Sequence, residues 1–370
     1  MIKNDWEKTV PVKDKTKAPS NSPAPGFINL PSGPEINLTL ETLGAGEDIA
    51  KLPARKKQVD KRQDISVWEN DTSPRRQVLY TKKNQEITIE ISDIDKISGT
   101  NAAAKKIFVL ALSEANTQAV HNGEVTKDAI SFPLSKLVDL GMYKNEKTAR
   151  VGFEKGMDTL TSIKLYGKKT RGKSSKETSS AIAVLFTAAG IKNNVCKIFL
   201  NPQVNWDVLF EFFTILPETY FSLSNRASDL LLYIFTLARQ HLEDIQQQGF
   251  FRISLRAIQH RLQLPTEEKN THPYQLIKNE IDKALEEIEE AHNAQYNNDH
   301  FQLELVVDDN APIGEYLDHG YLKVYLREEF AQKFVELNTK IERKIEAKER
   351  RKEKIIIAAS ALKAAKAEAK

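Results

Sequence analysis

One stretch of the sequence decides the fold, and it reads Ile130-Ser131-Phe132-Pro133-Leu134-Ser135-Lys136-Leu137-Val138-Asp139-Leu140-Gly141. Pro133 fits the first turn of a short helix, because the first backbone N–H groups of a helix have no partner within it. Gly141 ends that helix, since glycine adopts the left-handed turn conformation at little cost. A second helix is then predicted from a cap at Asn145 through residue 160. Its buried stripe is predicted to consist of Ala149, Phe153, Met157 and Leu160.

Regular patterns flank this pair of helices on both sides. Residues 102–120 predict a longer helix before the pair, and residues 86–91 alternate as a short strand does. Residues 163–166 and 181–186 predict two strands after the pair. Helix, turn, helix, strand, loop and strand follow one another in a winged helix, whose second paired helix enters the major groove of DNA.

The loop between the two predicted strands, residues 167–176, is rich in glycine and in basic residues. From residue 144 to residue 176 the sequence has ten basic and three acidic residues, an excess of +7 against a net charge of +3 for the whole chain. Such a concentration of positive charge predicts contact with DNA phosphates. The DNA-binding residues predicted here are Lys144, Lys147, Thr148 and Arg150 at the start of the second helix and Lys168, Lys169, Arg171 and Lys173 in the loop.

The same loop matches the phosphate-binding P-loop pattern of NTPases at residues 167–174. A P-loop, however, runs from a buried strand directly into a helix. Here polar residues and a strand-like apolar run follow the loop, which favours a DNA-contacting wing. A P-loop nucleotide-binding enzyme remains an alternative hypothesis.

A second unit repeats the pattern further along the chain. A helix capped by Ser224 is predicted through Gln240, and a strand and short helix are predicted over residues 251–262. A candidate recognition helix begins around Thr271 to Pro273 and continues to Ala291, with Tyr274, Ile277, Ile281, Leu285 and Ile288 as its buried stripe. Strands at 301–307 and 321–326 enclose an acidic wing at 308–320. The DNA-binding residues predicted in this unit are Arg256, Arg261, Thr271, Gln275, Lys278 and Asn279.

The two ends of the chain differ from these units in composition. Residues 1–85 are rich in proline and lack an apolar period, so they are predicted to form a disordered basic arm. Residues 338–370 predict a charged helical tail. The fold class predicted is therefore α+β, with two tandem winged-helix domains at 86–205 and 206–337, a disordered N-terminal arm and a charged C-terminal helical tail.

Catalytic and metal-binding patterns are weak. Cys196 is the single cysteine, so it forms no disulfide within the chain, and it is predicted to be a small buried strand residue. The seven histidines are scattered, with no pair at the spacing that a nicking enzyme or zinc hydrolase needs. We therefore predict no catalytic residue, metal or cofactor. The absence of a signal peptide pattern and of a long apolar stretch predicts a cytoplasmic protein, associated with the nucleoid or a plasmid, with no membrane partner.

The chain resembles the Rep-type replication initiators of bacterial plasmids, which have two winged-helix domains. The resemblance covers about residues 90 to 335, and its residues are Ile198-Phe199-Leu200-Asn201-Pro202 with segments 221–233, 251–262 and 274–288. In the first unit only the apolar spacing matches, at 132–140 and 148–165. One difference is that the first unit here is more basic than the second, whereas the C-terminal unit usually dominates sequence recognition in the family.

The resemblance implies binding to repeated double-stranded sites at a replication origin, opening of adjacent AT-rich DNA, and recruitment of the host replication initiator and helicase. It also implies a homodimer in equilibrium with DNA-active monomers. Two alternatives remain open at the level of sequence. One is a transcriptional regulator with the same fold, and the other is an NTP-using or nicking enzyme.

Overall fold

The structure is a computed structural model. The residues it describes are 26–31, 59–60, 65–69, 75–82, 85–92, 101–122, 129–170, 178–202, 204, 213–262, 264, 273–296, 300–307, 316–327, 330–333 and 336. Of these, residues 59–92, 101–102, 118–122, 162–170, 178–183, 213, 273–274 and 296 are described by their backbone alone.

Three helices form the centre of the first unit. They are α1 (Asn101–Asn122), α2 (Ser135–Asp139) and α3 (Glu146–Ser162). Gly141, after α2, has a φ of 71°, which confirms the predicted glycine stop. Helix α3 packs closely on α1 at Gly156, where an added Cβ would lie 2.6 Å from Cδ1 of Ile107 and 3.3 Å from Cα of Ala104. The predicted buried stripe of α3 is confirmed, since Ala149, Phe153, Met157 and Leu160 are all buried.

A three-stranded antiparallel sheet lies beside these helices. Its strands are β6 (Ala129–Pro133), β9 (Phe186–Lys192) and β10 (Val195–Leu200), in the order β6-β10-β9. The two-residue turn between β9 and β10 has positive φ at both positions, 52° at Asn193 and 58° at Asn194. Cys196 in β10 is fully buried, as predicted.

A larger antiparallel sheet joins the wing strands to strands from the N-terminal region. It contains β2 (Val59–Asp60), β3 (Ile65–Glu69), β4 (Arg75–Lys82), β5 (Gln85–Ser92), β7 (Ile163–Thr170) and β8 (Thr178–Val184), hydrogen-bonded in that order. The prediction that residues 1–85 lack regular structure is therefore wrong for β2 to β4. Their β-branched and aromatic residues suit a sheet, but the pairing that stabilises them involves β5 and β7, which is not a local signal.

The arm prediction is also wrong at β1 (Phe27–Pro31), a strand whose five residues are all buried. It pairs antiparallel with β11 (Phe213–Pro217), and the ring of Phe27 lies 4.6 Å from Phe330 and 4.7 Å from His300. Five residues are too few for a periodic pattern, so only the distant partner strand makes this segment a strand.

Within its described residues, the second unit contains five α-helices and a second three-stranded sheet. The helices are α4 (Asn225–Ala238), α5 (Leu242–Gln248), α6 (Leu255–Arg261), α7 (Pro273–Tyr296) and α8 (Tyr316–His319). The strands β12 (Phe250–Ser254), β13 (Phe301–Val306) and β14 (Tyr321–Leu326) pair antiparallel in the order β12-β14-β13. The Ser224 cap is confirmed, because its hydroxyl accepts the N–H of Ala227 at 3.5 Å. Helix α5 was not predicted.

Helices and small antiparallel sheets are thus mixed along the chain, which confirms the α+β class. The predicted acidic wing at 308–320 contains α8, while residues 308–315 lie outside the described residues. The tail at 338–370 also lies outside them, and the domain limits remain predictions. Among the described helices, none combines the length and apolar character needed to span a membrane.

Candidate nucleic-acid interface

The start of α3 is a capped and solvent-exposed helix N-terminus. The side-chain carbonyl of Asn145 accepts the backbone N–H of Thr148 at 3.0 Å, which confirms the predicted cap. The Thr148 hydroxyl donates to the Asn145 backbone carbonyl at 2.9 Å. Lys144, Lys147 and Thr148 are exposed, as predicted. A helix N-terminus carries partial positive charge, so these two lysines add to an existing preference for anions.

Arg150 occupies a different environment from the one predicted. Its guanidinium donates to the side-chain oxygen of Asn194 at 2.8 Å, and the side chain is half-buried instead of fully exposed. The amide nitrogen of Asn194 in turn donates to Glu146 at 3.2 Å, and the Asn194 backbone carbonyl accepts the N–H of Leu134 at 2.8 Å. Arg150 therefore helps to hold the β9–β10 turn against α2 and α3. The sequence could not show this, because its partner lies 44 residues away.

That turn brings basic residues to α3 that the sequence analysis missed. Lys192 and Asn193 are exposed at the turn, and Lys197 is exposed on β10. The pair Asn193-Asn194 between two strand-like segments is itself a signal for a two-residue hairpin turn. That signal predicts the hairpin, but its position beside α3 depends on the contact between Arg150 and Asn194.

The predicted wing begins in a regular strand. Lys168 and Lys169 lie within β7, opposite Ser180 and Ser179 of β8, and not in a loop as predicted. The loop starts later because the β7–β8 pairing continues to Thr170, opposite Thr178. Arg171 and Lys173 lie outside the described residues. The prediction that strands flank this loop on both sides is confirmed, and a P-loop would instead lead into a helix.

The first turns of α7 carry the polar residues predicted to recognise bases. Gln275 and Asn279 are exposed, and the Gln275 amide nitrogen donates to the Asn279 side-chain oxygen at 2.8 Å. The ammonium of Lys278 lies 5.7 Å from the centre of the Tyr316 ring. The buried residues Ile277, Ile281, Leu285 and Ile288 confirm the predicted inner face, apart from Tyr274, whose side chain is outside the description. Thr271 lies outside the described residues.

The two arginines of α6 have protein partners. Nε of Arg256 donates to Asp318 at 2.7 Å, and this hydrogen bond holds the pKa of Asp318 below its usual value. The guanidinium of Arg261 lies 5.5 Å from the centre of the Tyr233 ring. Contact with DNA would require either arginine to exchange or share these partners.

Among the side chains that the structure describes, each candidate recognition helix exposes one large apolar residue. Val151 on α3 is 48% exposed and Leu276 on α7 is 40% exposed. Both lie beside the polar residues described above, within the first two turns of their helices. An apolar side chain in the major groove can contact the methyl group of thymine.

The described residues contain no cluster of three or more side chains able to hold a metal ion. No protein-family model matches the chain, and a search of curated proteins finds no match.

Comparison with solved structures finds similarity to domains 2 and 3 of RctB. One crystal structure of these domains, with selenomethionine, has a TM-score of 0.41 and 11% identity, and covers 77% of this chain and 97% of that chain. A second, spanning RctB residues 155–483, has a TM-score of 0.42 and 10% identity, and covers 78% of this chain and 98% of that chain.

Proposed function

We propose that this chain is a replication initiator that binds duplex DNA through two winged-helix units. The observation that carries the proposal is the recurrence of one arrangement. A short helix and then a longer helix are followed by antiparallel strands in both halves, and each longer helix has exposed polar residues in its first two turns. In such an arrangement the longer helix enters the major groove.

The two helices offer different chemistry to DNA. Lys144 and Lys147 flank the capped N-terminus of α3, so we expect them to bind phosphates without selecting a sequence. Gln275 and Asn279 on α7 carry amides, which can bind the N6 and N7 edge of adenine through two hydrogen bonds. We therefore assign positioning on DNA mainly to the first unit and base recognition mainly to α7.

The exposed apolar residues also suggest which base pairs the DNA site contains. Val151 and Leu276 are exposed, so in a major groove they would contact thymine methyl groups. Adenine recognition by amides and thymine recognition by an apolar side chain together favour A·T pairs at the half-site that α7 contacts. The exposed Glu286 and Glu290 on the later turns of α7 would repel phosphates, so only the first turns enter the groove.

We propose that the free energy of binding opens the DNA. We also propose that the chain has no nuclease or ATPase activity of its own. Deforming a DNA site costs on the order of a few kcal/mol, which several copies bound to adjacent repeats could supply. The proposed partners are repeated origin sites, the host initiator and the helicase.

The experiment is incubation of the purified protein with supercoiled origin DNA and magnesium, followed by probing for unpaired bases and for strand breaks. We expect unpaired bases beside the repeats and no breaks. Binding without unpaired bases would favour a transcriptional regulator. A covalent protein–DNA adduct, or tight ATP binding that Lys173→Ala abolishes, would contradict the proposal.

A further inference from the structure

Two adjacent lysines of α1 reach from the first unit to the N-terminal end of α4. The ammonium of Lys106 donates to the backbone carbonyl of Phe221 at 2.9 Å and also to that of Leu223. Lys105, which is 3% exposed, forms an ion pair with Asp229. Both contacts join segments more than 100 residues apart in the sequence.

The same end of α4 binds the recognition helix of the second unit. The backbone N–H of Ser224 donates to one carboxylate oxygen of Glu287 at 2.5 Å, and its hydroxyl donates to the other at 2.6 Å. Two residues further along the chain, Arg226 pairs with Glu280. Glu280 and Glu287 both lie on α7, so α7 is held at two successive points.

These contacts also extend to α3, the candidate recognition helix of the first unit. Helix α1 packs on α3, and the small Gly156 permits close approach to Ala104 and Ile107, next to the two lysines. A continuous series of contacts therefore runs from α3 through α1 and the start of α4 to α7.

Charged hydrogen bonds and burial make this series of contacts rigid. Hydrogen bonds that involve a charged group are about twice as strong as neutral ones, and a buried charge that loses its partner is costly. Burial lowers the pKa of Lys106 to about 8, while the carboxylates of Glu287 and Asp229 oppose that shift. The ammonium is therefore held by two carbonyls just before α4, in the field of carboxylates on α4 and α7.

We propose that Lys106 and Glu287 are positioning residues that fix the angle and separation of the two recognition helices, so that the chain selects DNA by the spacing between two half-sites. The inference rests on the proposed function for its DNA part. One inserted base pair rotates a half-site by about 34°, because B-DNA turns once in about 10.5 base pairs. A rigid pair of helices cannot follow that rotation without losing contacts.

The rigidity is tested first without DNA. Spin labels on Glu154→Cys and Lys283→Cys, both exposed sites, report the distance between α3 and α7 in the full chain. Cys196 can stay, because it is buried and burial raises the pKa of its thiol to about 12. We expect a narrow distance distribution that broadens in Lys106→Met and in Glu287→Ala. The control Glu286→Ala, an exposed neighbour on the same helix, leaves it narrow.

An unchanged distribution in folded Lys106→Met or Glu287→Ala would overturn the inference, whatever the DNA results. Thermal unfolding identifies which variants fold. Because Lys106 and Glu287 lie on different helices, either variant can test the inference if the other does not fold.

The spacing selection is tested with duplexes whose half-sites are separated by zero to five added base pairs. Loss of the contacts of one half-site corresponds to more than about tenfold in affinity. We therefore expect the unmodified chain to lose at least about tenfold on misaligned spacers, and Lys106→Met to lose no more than about twofold. Equal spacer profiles for all variants would overturn the spacing inference alone. Absence of sequence-specific binding by the unmodified chain would overturn the proposed function, and the spin labels would still decide whether the link is rigid.

Discussion

Lys106 combines a charge, two hydrogen bonds to backbone carbonyls and substantial burial at one position. The groups that face it are Glu287 from α7 and Asp229 from α4, while Lys105 lies next to it on α1. Its pKa is lowered to about 8 in the folded protein from 10.5 in the unfolded chain. Between these two pH values the unfolded chain binds more protons than the folded one, so this residue makes unfolding more costly as pH rises.

The prediction is that the unfolding free energy of the unmodified protein, relative to Lys106→Met, is constant below about pH 8 and rises above it. The slope is at most about 1.4 kcal/mol per pH unit, because one proton is involved. Urea denaturation of both proteins on either side of that pH measures the difference. A difference that falls as pH rises would contradict the account.

Substitutions at Lys147 and Asn279 test the different roles proposed for the two candidate recognition helices. Lys147→Ala should weaken binding to all duplexes by a similar factor and reduce the slope of log affinity against log salt by about one, because one phosphate contact is lost. Exposed Lys155, two turns further along α3, provides the control Lys155→Ala, which we expect to have a smaller effect. A loss confined to one DNA sequence would show that Lys147 recognises a base.

Asn279→Ala should instead relax base preference at one position of the site, at a cost of about 1 to 3 kcal/mol on the preferred sequence. Its partner Gln275 loses the 2.8 Å hydrogen bond that orients it, so preference at a second position should also weaken. Binding to a panel of single-base variants of the site measures both effects. Uniform weakening across the panel would contradict base recognition by α7.

At the scale of elements, the parts specified by local sequence were predictable. The glycine stop at Gly141, the caps at Asn145 and Ser224 and the buried stripe of α3 all follow from neighbours within a few turns. The parts that depend on distant partners were not. Strand β1 needs β11, and Arg150 on α3 needs Asn194 in the β9–β10 turn.

Strand β1 gives a direct test of this distinction. Phe27 is 1% exposed and packs against Phe330 and His300, so Phe27→Ala removes a buried aromatic ring from between distant elements. We expect a loss of about 3 to 5 kcal/mol in the free energy of unfolding. Chemical denaturation measures it, with Ser131→Ala on the exposed face of β6 as the control. A loss below about 1 kcal/mol would mean that β1 contributes little to the folded state.

At the scale of the whole molecule, the candidate site was predictable in its location and less so in its composition. Both candidate recognition helices follow from apolar spacing, and the exposed positions of Lys144, Lys147, Gln275 and Asn279 agree with that spacing. The partners of Arg256 and Arg261, and the hairpin bearing Lys192 and Lys197, arise from tertiary contacts that periodicity does not encode. The link through Lys106 and Glu287 likewise depends on three helices meeting.

The central claim is that two units of one chain bind one composite DNA site. Selection of bound sequences from random duplex DNA, followed by hydroxyl-radical footprinting of the selected site, tests it most directly. The account predicts two protected backbone segments about one helical turn apart, with Asn279→Ala altering protection in one segment and Lys147→Ala weakening the other. A single protected segment that neither substitution changes, or a selection that enriches no sequence, would contradict it.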